Sequence, residues 1–185
     1  PHTSGHPDNT TSEEQEWLLQ ATPKFKEMHQ RHSLYYHTQV GTYNGDDGMV
    51  VGGHMDDAVY APLYFEYGQK GYNFDRELVM HQVEKTILFF TQSTVVVHIT
   101  ADTDVIKNRM QDDPHENGIV QSGDVDKVKA RFQEIVDWSL LGNKITIDNS
   151  GALVDTMAQF VDKIEPYLTD TDRSRILAHK VLSGG

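Results

Sequence analysis

Short apolar runs alternating with longer amphipathic stretches predict an α/β fold, a three-layer arrangement of a parallel sheet with helices on both faces. Residues 49–53 (MVVGG), 94–99 (TVVVHI) and 144–147 (KITI) read as buried strands. Between and after them, apolar side chains recur at helical spacing. Leu78, Val79, Val83, Ile87 and Phe90 mark one helix; Val125, Val128, Phe132, Ile135 and Val136 mark a second. Three strands make a thin sheet for such a fold.

The remaining elements follow from start and stop signals. Residues 1–11 are polar and patternless, a flexible start. Thr11 or Ser12 is an N-cap, with Glu14 or Gln15 placed to complete a capping box. That helix ends near Ala21, because Thr22-Pro23 reads as a new cap followed by proline at the first helical position. A second helix carrying Phe25, Met28, Leu34 and Tyr35 runs to about Val40, and residues 41–48 (GTYNGDDG) form a turn-rich loop. The helix marked by Leu78 spans 74–90. A short helix covers 103–111, and residues 112–123 (DDPHENGIVQSG) form a mobile, lid-like loop. After the third strand, Leu153, Met157, Phe160, Val161 and Ile164 define a helix stopped by Pro166, and Thr169-x-x-Asp172 opens a short last helix. No repeat or low-complexity tract interrupts the chain, so residues 1–185 read as one domain.

Composition narrows the function classes. The chain is 37% hydrophobic and 24% charged, a globular balance, and its apolar runs are far too short to cross a bilayer. It has no cysteine, which removes disulfides, thiolate catalysis and cysteine zinc sites together, and fits a cytoplasmic setting. A net charge of −12 argues against a general nucleic-acid surface, because polyanions are held by cation-rich faces. A small phosphorylated ligand needs only a local cluster of donors. The histidines, including His29 and His32 at i, i+3, lack the carboxylate or cysteine partners of a dedicated zinc site.

Four segments carry candidate chemistry. In His54-Met55-Asp56-Asp57-Ala58-Val59-Tyr60, an imidazole and two carboxylates follow an apolar run at once, where open α/β sheets place ligands. A carboxylate there can take a proton from a substrate hydroxyl or hold Mg²⁺; equally, Asp56 or Asp57 can simply cap the following helix. Tyr35, Tyr36 and Gln39 could stack on a base and read its edge, or the rings could be core. Arg109 and His115, with Lys127, Lys129 and Arg131, supply cations on and beside the lid-like loop, or form a solvated face. Asp148-Asn149-Ser150 follows the third strand as a strand-end loop.

With these parts in order, residues 1–176 resemble the thymidylate kinase-like branch of the P-loop nucleoside and nucleotide kinases. The resemblance is carried by the run 49–53 leading into HMDDAVYA (54–61), by TVVVHITAD (94–102) with VIKNRM (105–110), and by the helix over 124–141 followed by KITIDNSG (144–151). It implies a P-loop kinase-like fold that transfers the γ-phosphoryl of ATP, with Mg²⁺, to a nucleoside monophosphate such as dTMP or to a nucleoside. By the same resemblance Asp56 is the base or the Mg²⁺ partner, and Tyr60, with His54 and Asp57, lies on the substrate side. Arg109 is a lid arginine, and the Asp148–Ser150 loop lies near the adenine of ATP. Partners are then small nucleosides or nucleotides, with no membrane and room for a homodimer. Asp57 stands where the family usually has arginine, and no G-x-x-x-x-G-K-[ST] occurs. In the family the first strand, phosphate loop, first helix and second strand precede the equivalent of residues 1–7, so the expectation is an N-terminally incomplete domain. The alternative is a non-catalytic, kinase-derived binding or scaffold module.

Overall fold

Capping chemistry decides where this chain turns helical. The computed structural model describes residues 11–38, 48–91, 93–114 and 118–184, the side chains of Tyr36 and His37 excepted. In chain order its elements are α1 (Ser12–Gln20), α2 (Pro23–His37), α3 (His54–Tyr64), α4 (Arg76–Phe90), β1 (Val95–Thr100), α5 (Thr103–Asp112), α6 (Val125–Trp138), β2 (Asn143–Asp148), α7 (Leu153–Ile164) and α8 (Asp170–Leu182). Short 3₁₀ turns, Ser122–Asp124 and Glu165–Tyr167, precede α6 and follow α7. The Thr11 hydroxyl accepts from the Glu14 N–H at 3.2 Å while the Glu14 carboxylate accepts from the Thr11 N–H at 2.7 Å, the expected capping box. Thr169 and Asp172 repeat the device at α8, which runs for 13 residues rather than forming a short helix. Pro23 is the first residue of α2, and that helix stops at His37 instead of near Val40.

The first expected strand is absent. Residues 49–53 adopt no strand, and Met49 and Val51 are each 88% exposed. Gly52 (φ 80°) and Gly53 (φ 109°) explain the break: two successive left-handed residues end any extended run and turn the chain directly into α3. The helix expected over 74–90 begins at Arg76, because Phe74 is itself left-handed (φ 61°) and the Asp75 carboxylate caps by accepting from the Glu77 N–H at 2.9 Å. The helix after the lid-like loop and the strand KITI fall close to expectation. Of the lid-like loop, residues 115–117 lie outside the described residues, as do residues 1–10 and most of the loop from 41.

The chain gathers into two compact units, Pro1–Gln92 with Asn117–Leu140, and Ser93–Glu116 with Leu141–Gly185. The first is helical. Its core joins Ala58 and Val59 of α3, Met80 of α4, and Val128 and Ile135 of α6, with Met55, Tyr60, Leu63 and Phe132 packed around them. These residues sit at i, i+3/i+4 positions of three helices, so each contributes one apolar stripe.

The second unit is α/β: a two-stranded parallel sheet of β1 and β2, joined through α5 and followed by α7 and α8. Register pairs Val97 with Ile145 and Ile99 with Ile147. The β2 isoleucines are buried, whereas Ile99 is 60% exposed. Alternation along each strand places these four side chains on one face. α7 packs against β2, and Lys163 Nζ donates to the Thr146 carbonyl at 2.5 Å.

The core assignment makes a direct stability prediction. Met80→Ala and Ile135→Ala should each destabilise the protein by about 2–5 kcal/mol, because both side chains are sealed from solvent and leave cavities when truncated. Val97→Ala, on the open half of the sheet, should cost under about 1 kcal/mol. Urea unfolding of the three variants checks the contrast.

Candidate functional site

The Gly52–Gly53 turn delivers an acidic first turn to α3. Asp56 and Asp57 complement the positive end of the helix dipole there, and Gly53 as N-cap offers no side-chain cap. From that shared starting point the two carboxylates go different ways. Successive residues of a helix differ by about 100° in direction. Asp57 turns inward with Ala58 and Ala61, and Asp56 shares a face with Tyr60 and Tyr64 at i+4 and i+8.

Asp57 is the keystone of a buried ionic cluster. Its Oδ2 lies 2.8 Å from Arg76 Nε, and its Oδ1 accepts from the Tyr67 hydroxyl at 2.9 Å. Arg76, 1% exposed, also meets Glu27 Oε1 at 3.2 Å and lies over the Tyr67 ring with its guanidinium 4.9 Å from the ring centre. The facing charged atoms are closed off from solvent and held at ion-pair distance, but Arg76 Nε and Nη1 and the carboxylate oxygens they face make no aligned hydrogen bond. Gly68 makes this possible: at φ 77° it approaches so closely that a Cβ there would collide with the Arg76 side chain. Burial pushes the Asp57 carboxyl upward while Arg76 and Tyr67 pull against it; burial, then Asp57, raises the Tyr67 phenol. Asp57 is thus committed within the protein.

A second buried carboxylate, Glu84 of α4, is fully enclosed. It accepts from Ser139 Oγ at 2.5 Å and from the Leu140 N–H at 2.7 Å, and faces His54 Nε2 at 3.5 Å. Burial alone would raise its pKa; the contacts from His54, Ser139 and Leu140 outweigh that and hold it below its ordinary value. His54 is therefore oriented from behind by a fixed carboxylate.

Asp56 makes no ion pair with a described residue. Burial raises its pKa, against the pull of its own backbone N–H and of His54. Tyr60 beside it is also raised, by burial and then by Asp56, and its ring meets Phe132 edge-on at 5.5 Å and Tyr64 at 6.3 Å. Tyr64 donates its hydroxyl to Asp124 Oδ2 at 3.2 Å. The structure thus brings together Asp56, His54 and Tyr60, with Asp57 adjacent in sequence but facing inward.

The other expected site residues are placed separately. Tyr35 is exposed on α2, while the Tyr36 side chain and Gln39 lie outside the described residues. Arg109 sits exposed in the last turn of α5, in the second unit, where a cation suits the helix dipole. The Asp148–Ser150 loop is internally satisfied. Asp148 Oδ1 accepts from the Ser150 N–H at 2.9 Å and Oγ at 2.6 Å, and Asn149 Oδ1 accepts from Thr156 Oγ1 at 2.9 Å. Ser150 Oγ also accepts from the Asp102 N–H at 2.8 Å, tying together the carboxyl ends of β1 and β2. A concavity of about 760 Å³ lies along α7, lined by Val154, Met157, Ala158, Val161, Asp162 and Glu165. Arg76, Tyr67, Glu84 and Ser139 are residues that sequence reasoning missed. The signal for Glu84 was available, since a lone acid interrupts the stripe Val79, Met80, Val83, Ile87.

Comparison with known proteins adds no relative: no family model, no curated protein and no solved structure matches the chain.

Two outcomes test this geometry. Arg76→Ala should destabilise by about 3–5 kcal/mol, since it leaves Asp57 and Glu27 buried without a counter-charge, measured by urea unfolding. Glu84, whose folded pKa is depressed below its ordinary 4.5, adds stability that is fully present above that value and is lost as pH falls through the folded pKa. The difference in stability between wild type and Glu84→Gln should therefore be largest above about pH 5 and shrink in more acid solution, read from unfolding curves at a series of pH values.

Proposed function

We propose that this chain is a nucleoside or nucleotide kinase-like protein, acting in transfer of the ATP γ-phosphoryl to a (deoxy)nucleoside monophosphate such as dTMP or to a nucleoside. The observation that carries the reading is the separate fate of the two acids on α3. Arg76 and Tyr67 absorb Asp57, and Asp56 is left half-buried, with no ion pair to a described residue, beside an aromatic face. A carboxyl whose proton affinity is raised by burial is a stronger base than one in water, which suits it to accept the proton of an acceptor hydroxyl. His54, braced by Glu84, sits on the same turn, and Tyr60 offers a ring edge and a phenol to a planar acceptor. The finer fold, a three-layer P-loop arrangement, belongs to the same proposal and is supported by the parallel βαβα order of the second unit.

The fit to cofactors is uneven. Mg²⁺ keeps several waters and needs only one or two carboxylates beside the phosphates, and Asp56 can supply one oxygen. Among the described residues no group of three His, Asp or Glu side chains forms an all-protein metal cage. The triphosphate of ATP does not fit: the sequence has no phosphate loop, and the arginines of the helical unit are paired with carboxylates. Asp56 and its neighbours therefore account for the acceptor side alone. The second reading is a non-catalytic kinase-derived binding or scaffold module, which needs no seat for the triphosphate.

Calorimetric titration with Mg·ATP, deoxynucleosides and dTMP separates the two. The proposal expects an acceptor to bind, Asp56→Ala to weaken it by about 10- to 100-fold, and turnover with ATP to be slow, since one lost charge-assisted hydrogen bond is worth about 1.5–3 kcal/mol. Absence of binding by every nucleoside and nucleotide would leave only the scaffold.

A further inference from the structure

Two helix faces of the second unit are apolar, exposed and opposite in charge. On α7, Val154, Met157, Ala158, Val161, Asp162 and Glu165 follow at i, i+3, i+4, i+7, i+8 and i+11, one continuous face that lines the concavity along that helix. Val161, at its centre, is 62% exposed. Asp155 lies beside this face, seven positions before Asp162 and therefore within about 20° of it around the helix. The face is thus apolar with an acidic edge. Lys163, the cation of α7, is engaged with the sheet, where it donates to the Thr146 carbonyl of β2.

α8 carries the complement. Arg173, Ile176, Leu177, Lys180 and Val181 recur at i, i+3, i+4, i+7 and i+8, so they share a face, and its two cations are again seven positions apart. Seven residues rise about 10.5 Å, so the acidic pair of α7 and the basic pair of α8 have the same spacing. The acids of α8, Asp170 and Asp172, stay in its first turn, where Asp172 closes the capping box.

Every residue of α8 from Arg173 to Leu182 is exposed, Leu177 by 64%. A 13-residue helix is at the margin of stability in water by itself, and most helical stability in proteins comes from packing an apolar face. The entry to α8 is fixed by Leu168 and Thr169, both extended, and by Arg173. That arginine pairs with the Glu165 carboxylate and donates to the Glu165 carbonyl at 2.9 Å. With the joint so held, α8 does not cover the α7 of its own chain, and both faces stay open.

From these matched faces we infer that a second copy of this chain covers them, with α8 of each copy lying along α7 of the other. Ile176, Leu177 and Val181 then meet Val154, Met157 and Val161, and Lys180 lies beside the edge formed by Asp155 and Asp162. A foreign basic helix could cover α7 but would leave α8 open; this chain supplies both complements at once. The pairing is reciprocal, so it closes as a two-fold dimer.

Sedimentation of the full chain over a concentration series tests this. The wild type should show a reversible monomer–dimer equilibrium. Val161→Lys sets a cation against a basic face, and Leu177→Asp sets an acid against an acidic one. Each alone should weaken the dimer at least about tenfold, a loss of about 1.4 kcal/mol, with circular dichroism confirming that the helices persist. Mixed together, the two variants should recover a dimer, because one α7–α8 contact is then intact and the other brings the two introduced charges, of opposite sign, together. A wild type that stays monomeric at every concentration overturns the inference. So does a dimer that both variants leave unchanged, or a pair of variants that fails to complement.

Discussion

The helical unit is organised around one buried cation. Arg76 enters α4 at its first residue and meets carboxylates from α2 and α3, with the Tyr67 ring against its guanidinium plane. A guanidinium taken out of water costs several kcal/mol, which nearby charges and hydrogen bonds must offset. The Glu27 carbonyl accepts from Arg76 Nη2 at 3.4 Å, while the Glu27 and Asp57 carboxylates face Nη1 and Nε as charges rather than as aligned acceptors. The cluster therefore imposes specific relative positions on α2, α3 and α4, which apolar contacts alone would define only loosely. Gly68 is part of the same constraint, because its missing side chain leaves the room that the Arg76 stem occupies.

That constraint also shapes the chemistry. Two neighbouring acids would ordinarily repel one another and share any incoming proton or cation. Here the inward one is paired with Arg76, and Asp56 makes no ion pair with a described residue. The same helical rotation that separates them aligns Asp56 with Tyr60 and Tyr64, so the outward acid is flanked by aromatic surface. Glu84 plays the matching part from α4: fixed by Ser139 and Leu140, it steadies His54 on the turn that carries Asp56.

Much of the local architecture was legible in the sequence, because it is written in short-range signals. Thr11 with Glu14, Thr22 with Pro23, and Thr169 with Asp172 each act within one helical turn, and all three open helices where expected. The runs TVVVHI and KITI became the paired strands. The run MVVGG forms no strand: its two glycines take positive φ, and no strand among the described residues pairs with it. Long-range pairings such as Arg76 with Glu27, 49 positions apart, leave no periodic trace, so the fate of Asp57 could not be read from DD alone.

The second unit applies the same physics with a different outcome. A parallel sheet is normally covered on both faces, and its strands then read as continuous apolar runs. β1 has that sequence, yet Ile99 remains exposed opposite a buried Ile147, and the apolar stripe of α7 (Leu153, Val154, Met157, Val161) points to solvent. The stripe is regular, at i, i+1, i+4 and i+8, so it is a face patterned for packing rather than scattered surface hydrophobes. Sequence patterning therefore anticipated a buried face more faithfully than it anticipated burial itself: periodicity encodes which side chains share a surface, while the neighbour that covers that surface is a separate property. The same distinction explains Asp56 and Asp57, whose identical chemistry and adjacent positions are resolved only by what packs against each.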